Sequence, residues 1–350
     1  MFDLNSIVVD NNGTQLAYID SGPPLNSTNY VTIFAIHGVI FTALIFKRVM
    51  EIAAAANLRI VSVNRRDYTG STALSPSDLG FIVNGTNSQK AQFLQDRGLE
   101  LLRFMDIFIE TNNLPPVSSD GKAGGSALLG WSLGNSFTIP AIAHASELGA
   151  ESKSRLSRHL RSLIVQDPPS AALGLPVPGI LWLPPNDESM PLEDRVPFTI
   201  QWLTSYWDHG NIEQRNESSL SYIVPTTAQV PSIFSMHNHL PSILVPGPFT
   251  ATGSDWFTLT NLGPQLLETY RRACFSAEVR ELFPHLKIWE LVGDLSGAFA
   301  IDAYWKTQDD DQAAGGGHIN FNVLNGTNHF VHWDYPRRTI EAYRRAVQSV

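Results

Sequence analysis

Residues 126–136 read SALLGWSLGNS. An apolar run stops at Gly130-Trp131-Ser132-Leu133-Gly134, and a new periodic run begins. A serine between two glycines at a strand-to-helix hand-over is either a tight turn or a nucleophile. The G-x-S-x-G match alone is weak. With glycine and serine each near ~7% usage, a chain this long carries such a match by chance roughly one time in ten. The context adds to it, because an apolar strand precedes the match and a helix follows. A nucleophile elbow needs glycines for space: the serine sits on a strained turn, and a side chain at either flanking position would collide with neighbouring backbone. Such a turn lifts the Ser132 hydroxyl clear of the sheet and aims the Leu133 amide at the reacting centre.

Working outward, SIVVD and TQLAYIDS flank Asn12-Gly13 and predict a hairpin. VTIFAIHG (31–38), LRIVSVNRR (58–66), SALLG (126–130) and LRSLIVQD (160–167) read as buried parallel strands. Helical patterns follow at 41–56, 87–112 and 133–148. Strands alternating with helices predict an α/β protein with a mostly parallel sheet, helices on both faces, and a ligand site at the carboxyl ends of the strands. After Asp167 the character changes. Residues 168–284 hold 15 of the 22 prolines and four of the eight tryptophans. Buried parallel strands tolerate few prolines, so this block reads as an inserted lid of helices and loops. The alternation resumes with LKIWELVG (286–293), INFNVLNG (319–326) and a helix at 335–348. The intervening KTQDDDQAAGGGH (306–318) reads as a solvated loop. The expected division is therefore a core of 1–167 and 285–350 with a lid of 168–284.

The net charge of −9 and the absence of any basic run argue against nucleic acid or an anionic membrane as partner. No apolar stretch approaches the ~20 residues of a membrane span. The single cysteine, Cys274, forms no internal disulfide, and MFDLNSIVVDNNG shows no secretory pattern. A cytoplasmic location is the expectation, and no cofactor or metal site is read.

A serine hydroxyl needs a base to take its proton. LNGTNHFVHWDYP (324–336) supplies two late histidines, His329 and His332. The order serine, then histidine near the end, is that of nucleophile-elbow hydrolases. A second oxyanion amide is expected from the loop after an early strand, and FAIHGVIF (34–41) offers that of Val39. His37 in that loop reads as a residue that shapes the turn.

These stretches together resemble the α/β-hydrolase-fold superfamily, in its large-lid form. The matching residues are His37-Gly38, NRRDYTGST (64–72), GWSLGN (130–135) and GTNHFVHWDYP (326–336). The resemblance covers about 230 residues outside the lid. In that family the last motif commonly reads G-x-x-H, followed five residues on by an acid and then a proline. Here that gives Gly326, His329, Asp334 and Pro336, and the resemblance implies His329 as the base. The acid departs from the pattern. The family's usual position, three after the strand-end glycine, is Ser296, and Asp294 stands two residues early. Some members carry the acid after the strand that follows the elbow helix, which here is Asp167. Asp167 is the expected acid, with Asp294 as the alternative and Asp302 further on.

The resemblance implies a hydrolase that cleaves an ester, lactone or thioester of an apolar small molecule. It would act through Ser132, His329 and Asp167, with Val39 and Leu133 at the oxyanion. The tryptophan-rich lid fits such a substrate, although residue by residue those tryptophans read as lid core. The same site also serves carbon–carbon hydrolases, lyases and cyclases. A non-catalytic ligand-binding protein of the same fold is the reading from another class.

Overall fold

The computed structural model describes residues 2–178 and 182–348. Its first two strands, β1 (Asn5–Val8) and β2 (Gln15–Asp20), form the expected antiparallel hairpin. Its turn carries Gly13 at φ +82°, a left-handed conformation that glycine adopts without a Cβ penalty. Then come β3 (Val31–Ile36), α1 (Lys47–Ala53), β4 (Leu58–Val63), α2 (Pro76–Asn84), α3 (Asn87–Thr111), β5 (Ser126–Trp131), α4 (Asn135–Ala143), α5 (Ala150–His159) and β6 (Leu160–Gln166). Every residue of β3, β4, β5 and β6 is buried, as strands covered on both faces require.

Between β6 and the next strand, β7 (Lys287–Gly293), the described residues form no strand of the sheet. They form 3-10 turns and six helices: α6 (Leu192–Leu203), α7 (Ile233–Met236), α8 (Leu240–Ile243), α9 (Ser254–Asn261), α10 (Gly263–Phe275) and α11 (Ala277–Leu282). The long α10 packs on α4 and α3. The chain ends with α12 (Ala298–Ala313), β8 (Ile319–Leu324), α13 (Val331–Asp334) and α14 (Pro336–Gln348).

The sheet order is β1-β2-β4-β3-β5-β6-β7-β8. The β1–β2 and β2–β4 pairings are antiparallel and the rest parallel. After β3 the chain steps outward to β4 and then returns to β5 on the other side of β3. The loops leaving β3 and β5 therefore diverge over one crevice, which is where open α/β sheets bind ligands.

Three of the local readings that differ from the structure are informative. The acidic stretch at 306–313 is the last two turns of α12, so the expected loop shrinks to 314–318. Asp311 accounts for this, since its carboxylate accepts from the Gly317, His318 and Ile319 amides and leads the chain directly into β8. Helix α2 carries a capping box, with Ser75 accepting from the Asp78 amide and the Asp78 side chain from the Ser75 amide. That S-x-x-D signature was readable before Pro76. The expected helix at 133–148 is instead a 3-10 turn, Ser132–Gly134, followed by α4 and a second turn, Ala145–Glu147.

Burial in the interior favours the protonated form of Glu290. Glu290 on β7 is 1% exposed, accepts a 2.5 Å hydrogen bond from Thr307, and leaves Oε1 without a partner. Burial, reinforced by Asp167, pushes its carboxyl up to about 8. The folded chain therefore holds a proton that the unfolded chain has lost once the pH passes the ordinary carboxylate range. Stability should fall as pH rises from about 4.5 to 8, by at most about 1.4 kcal/mol per unit from this group. Glu290→Gln should leave stability near pH 5 unchanged and raise it at pH 9, measured by urea unfolding at the two pH values. An equal response at both would show that the proton is not held.

Candidate active site

The registers align the functional turns. Ile36 pairs with Gly130 across β3–β5, and Trp131 pairs with Gln166 across β5–β6. The residues that follow, Ser132 and Asp167, thus leave neighbouring strands at the same level. Both have positive φ, +55° for Ser132 and +44° for Asp167. A non-glycine residue there is strained by about 1–3 kcal/mol, and such strain concentrates at functional turns.

The glycines have separate steric reasons. A Cβ on Gly130 would meet Thr138 Oγ1 at 2.4 Å, and one on Gly134 would meet the Ile36 carbonyl oxygen at 2.3 Å. A Cβ on Gly38 would meet Ser132 Cβ at 2.8 Å and Oγ at 3.3 Å. Gly38 therefore holds open the space beside the Ser132 side chain. Gly38→Ala leaves the backbone conformation allowed but drives the methyl into Ser132. It should cut kcat at least about 100-fold, since a displacement of about 1 Å at a reacting group costs that much, with a change in melting temperature of only a few degrees. A kcat within threefold of the parent would disprove the contact.

His329 lies in the loop after β8, two strands away from β6. The loop reaches back over the end of β7, where a Cβ on Gly293 would meet the Thr327 carbonyl oxygen at 2.3 Å. Asp294 secures the crossing by accepting from the Gly326 amide at 2.6 Å and the Thr327 amide at 3.3 Å. Half-burial pushes its carboxyl above the usual range despite those two amides. Asp294 forms no hydrogen bond to the His329 ring. Asp167 does: Oδ2 stands 3.3 Å from His329 Nδ1. The Gly293 amide donates to Oδ1 at 3.0 Å and Ser296 Oγ to Oδ2 at 2.8 Å. Ser296, at the position where the resemblance would put the acid, donates instead to the Asp167 carboxylate. The side chain of Asp294, the alternative acid, is engaged by the turn of the histidine loop.

The backbone of His329 is tied to the elbow, with Trp131 Nε1 donating to its carbonyl at 3.0 Å. Its ring lies 5.0 Å from the Trp131 ring and 5.2 Å from the Phe299 ring. His332 is differently placed. It is fully buried between Phe46 and Trp131, with ring centroids at 4.8 and 4.6 Å. Tyr343 donates to Gln166 Oε1, which turns the Gln166 amide so that it donates to His332 Nδ1 at 3.0 Å. Burial, then the nearby His329, pushes the His332 pKa well below the usual histidine range. It is a neutral core histidine.

The loop after β3 is held from below and from the inserted segment. His37 is fully buried, donates from Nδ1 to the Gly38 carbonyl at 2.8 Å, and accepts the Arg65 amide at Nε2. Burial, followed by the Arg65 charge, pushes its pKa well below the usual range. It is neutral and shapes the turn. The Arg65 guanidinium donates to the His37 and Gly38 carbonyls and forms a two-pronged pair with Asp255 of α9, at 2.7 and 2.9 Å. Tyr68 also donates to Asp255 at 2.6 Å and accepts the Ile40 amide at 2.9 Å. Ile40 itself sits at φ +67°. Sequence reading missed this network. Arg65 and Tyr68 lie within NRRDYTGST, but their partner lies 187–190 residues away, in a segment with no readable pattern.

Ser132, Val39 and Leu133 line a common cavity of about 320 Å³. Its other walls are largely apolar, with Trp202, Leu203, Phe249, Trp256 and Leu259 from the inserted segment and Phe299 from α12. Another crevice, around Arg65 and Glu100, has room for only about 20 Å³ and lies away from Ser132. Among the described residues no cluster of three or more histidine, cysteine or acidic side chains could hold a metal ion. No helix among them is long and apolar enough to cross a membrane.

No protein-family model matches this chain, and no curated protein sequence matches it. Solved structures do. A bromoperoxidase from Bacillus anthracis is 11% identical, with a TM-score of 0.54 over 99% of this chain and all of that one. An AqdC variant, described as recognising and ring-cleaving the Pseudomonas quinolone signal, is 14% identical, with a TM-score of 0.51 over 99% of each chain. At such identities the likeness speaks for the fold alone. With the sheet order, the elbow between β5 and α4, and the histidine loop after β8, it establishes that this chain has the α/β-hydrolase fold.

Proposed function

We propose that the protein is a serine hydrolase that cleaves an ester, lactone or thioester of an apolar small molecule. The observation that carries this reading is the elbow serine opening into an apolar cavity, at the end of the strand next to that of Asp167, the buried carboxylate that faces His329 Nδ1. Ser132 Oγ attacks the carbonyl carbon. His329 takes the proton at Nε2, and Asp167 holds the other ring nitrogen as donor and stabilises the imidazolium. The 3.3 Å spacing suits a site without substrate, where such bonds are commonly long. The amides of Val39 and Leu133 hold the oxyanion. The alcohol or thiol leaves with the proton from His329, and water then releases the acid from the acyl-enzyme by the same base.

Residues 168–284 act in this reading as the lid over the core of 1–167 and 285–350. The part that roofs the cavity runs from Pro169 to Thr260, while α10 stays with the core layer on α4. The lid is clamped at the oxyanion loop: the Val245 amide donates to the Ile40 carbonyl at 2.6 Å, and Asp255 pairs with Arg65.

The test is labelling by a fluorophosphonate probe, followed by turnover of p-nitrophenyl esters graded by acyl length. Stoichiometric labelling lost in Ser132→Ala, with kcat/KM rising as the acyl chain grows to fill the cavity, supports the reading. An unlabelled protein that turns over no ester overturns it.

A further inference from the structure

The wall of the cavity is not uniformly apolar. Among its described lining residues one side chain is charged, Asp302 of α12. It is 4% exposed. All its hydrogen bonds fall on one oxygen: Oδ2 accepts from Ser170 Oγ at 2.6 Å and from Lys306 Nζ at 2.7 Å. Oδ1 has no hydrogen-bond partner among the described residues. That oxygen is not among the sealed, unpartnered side-chain atoms of the described residues, so it stays open to the cavity and can accept from a ligand there.

Three hydroxyls of the cavity wall are already committed. Ser170 donates to Oδ2, Thr199 to the Arg195 carbonyl and Thr260 to the Trp256 carbonyl. Lys306 is shared with the Pro176 carbonyl at 2.6 Å. The charge of Asp302 is already balanced by Lys306, so the wall presents an acceptor without a net negative charge. Such an acceptor suits a neutral donor better than a cation. Asp302 and Phe299 lie three residues apart on α12, and residues so spaced are neighbours on one helix face at about 5–6 Å between Cβ atoms. Phe299 touches the His329 ring. The unused oxygen thus stands about one helical turn beyond the reacting end of the cavity.

We infer that Asp302 is a specificity residue that accepts a hydrogen bond from a neutral hydroxyl or N–H on an otherwise apolar substrate, one helical turn from the carbonyl attacked. The inference rests on the reading of Ser132 as the nucleophile for the identity of the reacting end. The recognition itself is a binding property and is tested as one.

The full chain carrying Ser132→Ala is titrated with methyl ω-hydroxyalkanoates of four to ten carbons and with the matching methyl alkanoates. Fluorescence of Trp202 and Trp256, both in the wall, follows binding. At one chain length the hydroxyl ligand should bind about 10-fold more tightly, relative to its alkyl partner, than it does when Asp302→Leu is added. A hydrogen bond to a charged acceptor is worth about that much. Asp302→Asn keeps the size and an acceptor oxygen and should retain part of the preference, which separates recognition from a damaged fold. The same ratio in all three proteins at every length overturns the inference, as does a lack of binding by any ligand. Tighter binding of methyl ω-aminoalkanoates than of the hydroxyl series overturns the assignment of a neutral donor. Turnover of the same esters by the parent chain is read separately. Cleavage with an unchanged ratio defeats the Asp302 inference alone, and a shifted ratio with no cleavage defeats the hydrolase reading alone.

Discussion

Ser132→Ala should lower kcat/KM by about four to six orders of magnitude while leaving the fold in place, because removing the nucleophile of such a unit removes nearly all its rate. The fold should survive for a local reason. Ser132 Oγ makes no hydrogen bond among the described residues, so its removal orphans no buried group. The Cβ that sits 2.8 Å from where a Gly38 side chain would begin is retained. The backbone at φ +55° is no more strained for alanine than for serine. A thermal unfolding midpoint within a few degrees of the parent, together with the loss of rate, is the expected pair of results. His329→Ala should be as damaging, and the double variant little worse than either, because the two groups act as a unit. His332→Ala should act mainly through stability, since that ring is enclosed by Phe46 and Trp131 and bonded to Gln166. If Ser132→Ala kept more than a few per cent of the activity, or if His332→Ala cost more rate than His329→Ala, the assignment would fail.

The second large effect is expected at Asp167. In Asp167→Asn the Gly293 amide still demands an oxygen acceptor where Oδ1 now stands. That contact turns the new NH₂ group toward Ser296 and His329 Nδ1. Ser296 can accept from it by rotating its hydroxyl. His329 can accept only with Nδ1 unprotonated, which moves the ring proton to Nε2, the atom that must receive the serine proton. The buried pair keeps its shape and its hydrogen bonds, yet the tautomer is wrong. The expected loss is about 10⁴-fold in kcat, with KM little changed. Asp294→Asn is the control, because its side-chain oxygen can still accept the Gly326 amide; a loss of about tenfold or less is expected. Both variants are measured by steady-state kinetics on one ester. A greater loss at Asp294 than at Asp167 would sink the relocated acid.

The contrast between those two aspartates shows where reading a chain stops. The turn at Ser132 was legible because its signal is local: an apolar strand, two glycines and a helix within 11 residues of sequence. The glycines are required by backbone a few atoms away, and composition records that requirement. The α/β architecture was legible for a similar reason, since continuous apolar runs alternating with amphipathic ones already state which segments are covered on both faces. Asp167 and Asp294 were both plausible, each ending a strand beside the histidine loop. What separates them is register. Gln166 pairs with Leu291, and Gly293 pairs with Leu324. The histidine loop crosses directly over Gly293, which places Asp294 under the turn and Asp167 in front of the ring.

The inserted segment was illegible beyond its boundaries. Four of its six described helices have eight residues or fewer, and α6 contains Pro197, so over most of the segment no period persists long enough to name a face. Asp255 and Asp302 show the cost. Each is an ordinary aspartate in sequence, and each becomes informative only when a partner far along the chain, Arg65 or Ser170, closes on it. By itself the sequence determined the order of the strands, the turn at Ser132 and a histidine late in the chain, because covalent neighbours and hydrophobic period carry those. The tertiary structure alone decided which carboxylate meets His329 and which acid keeps one oxygen without a protein donor in the cavity wall. Those outcomes depend on the relative level of strand ends and on contacts between residues more than a hundred positions apart, and no local pattern in a chain encodes them.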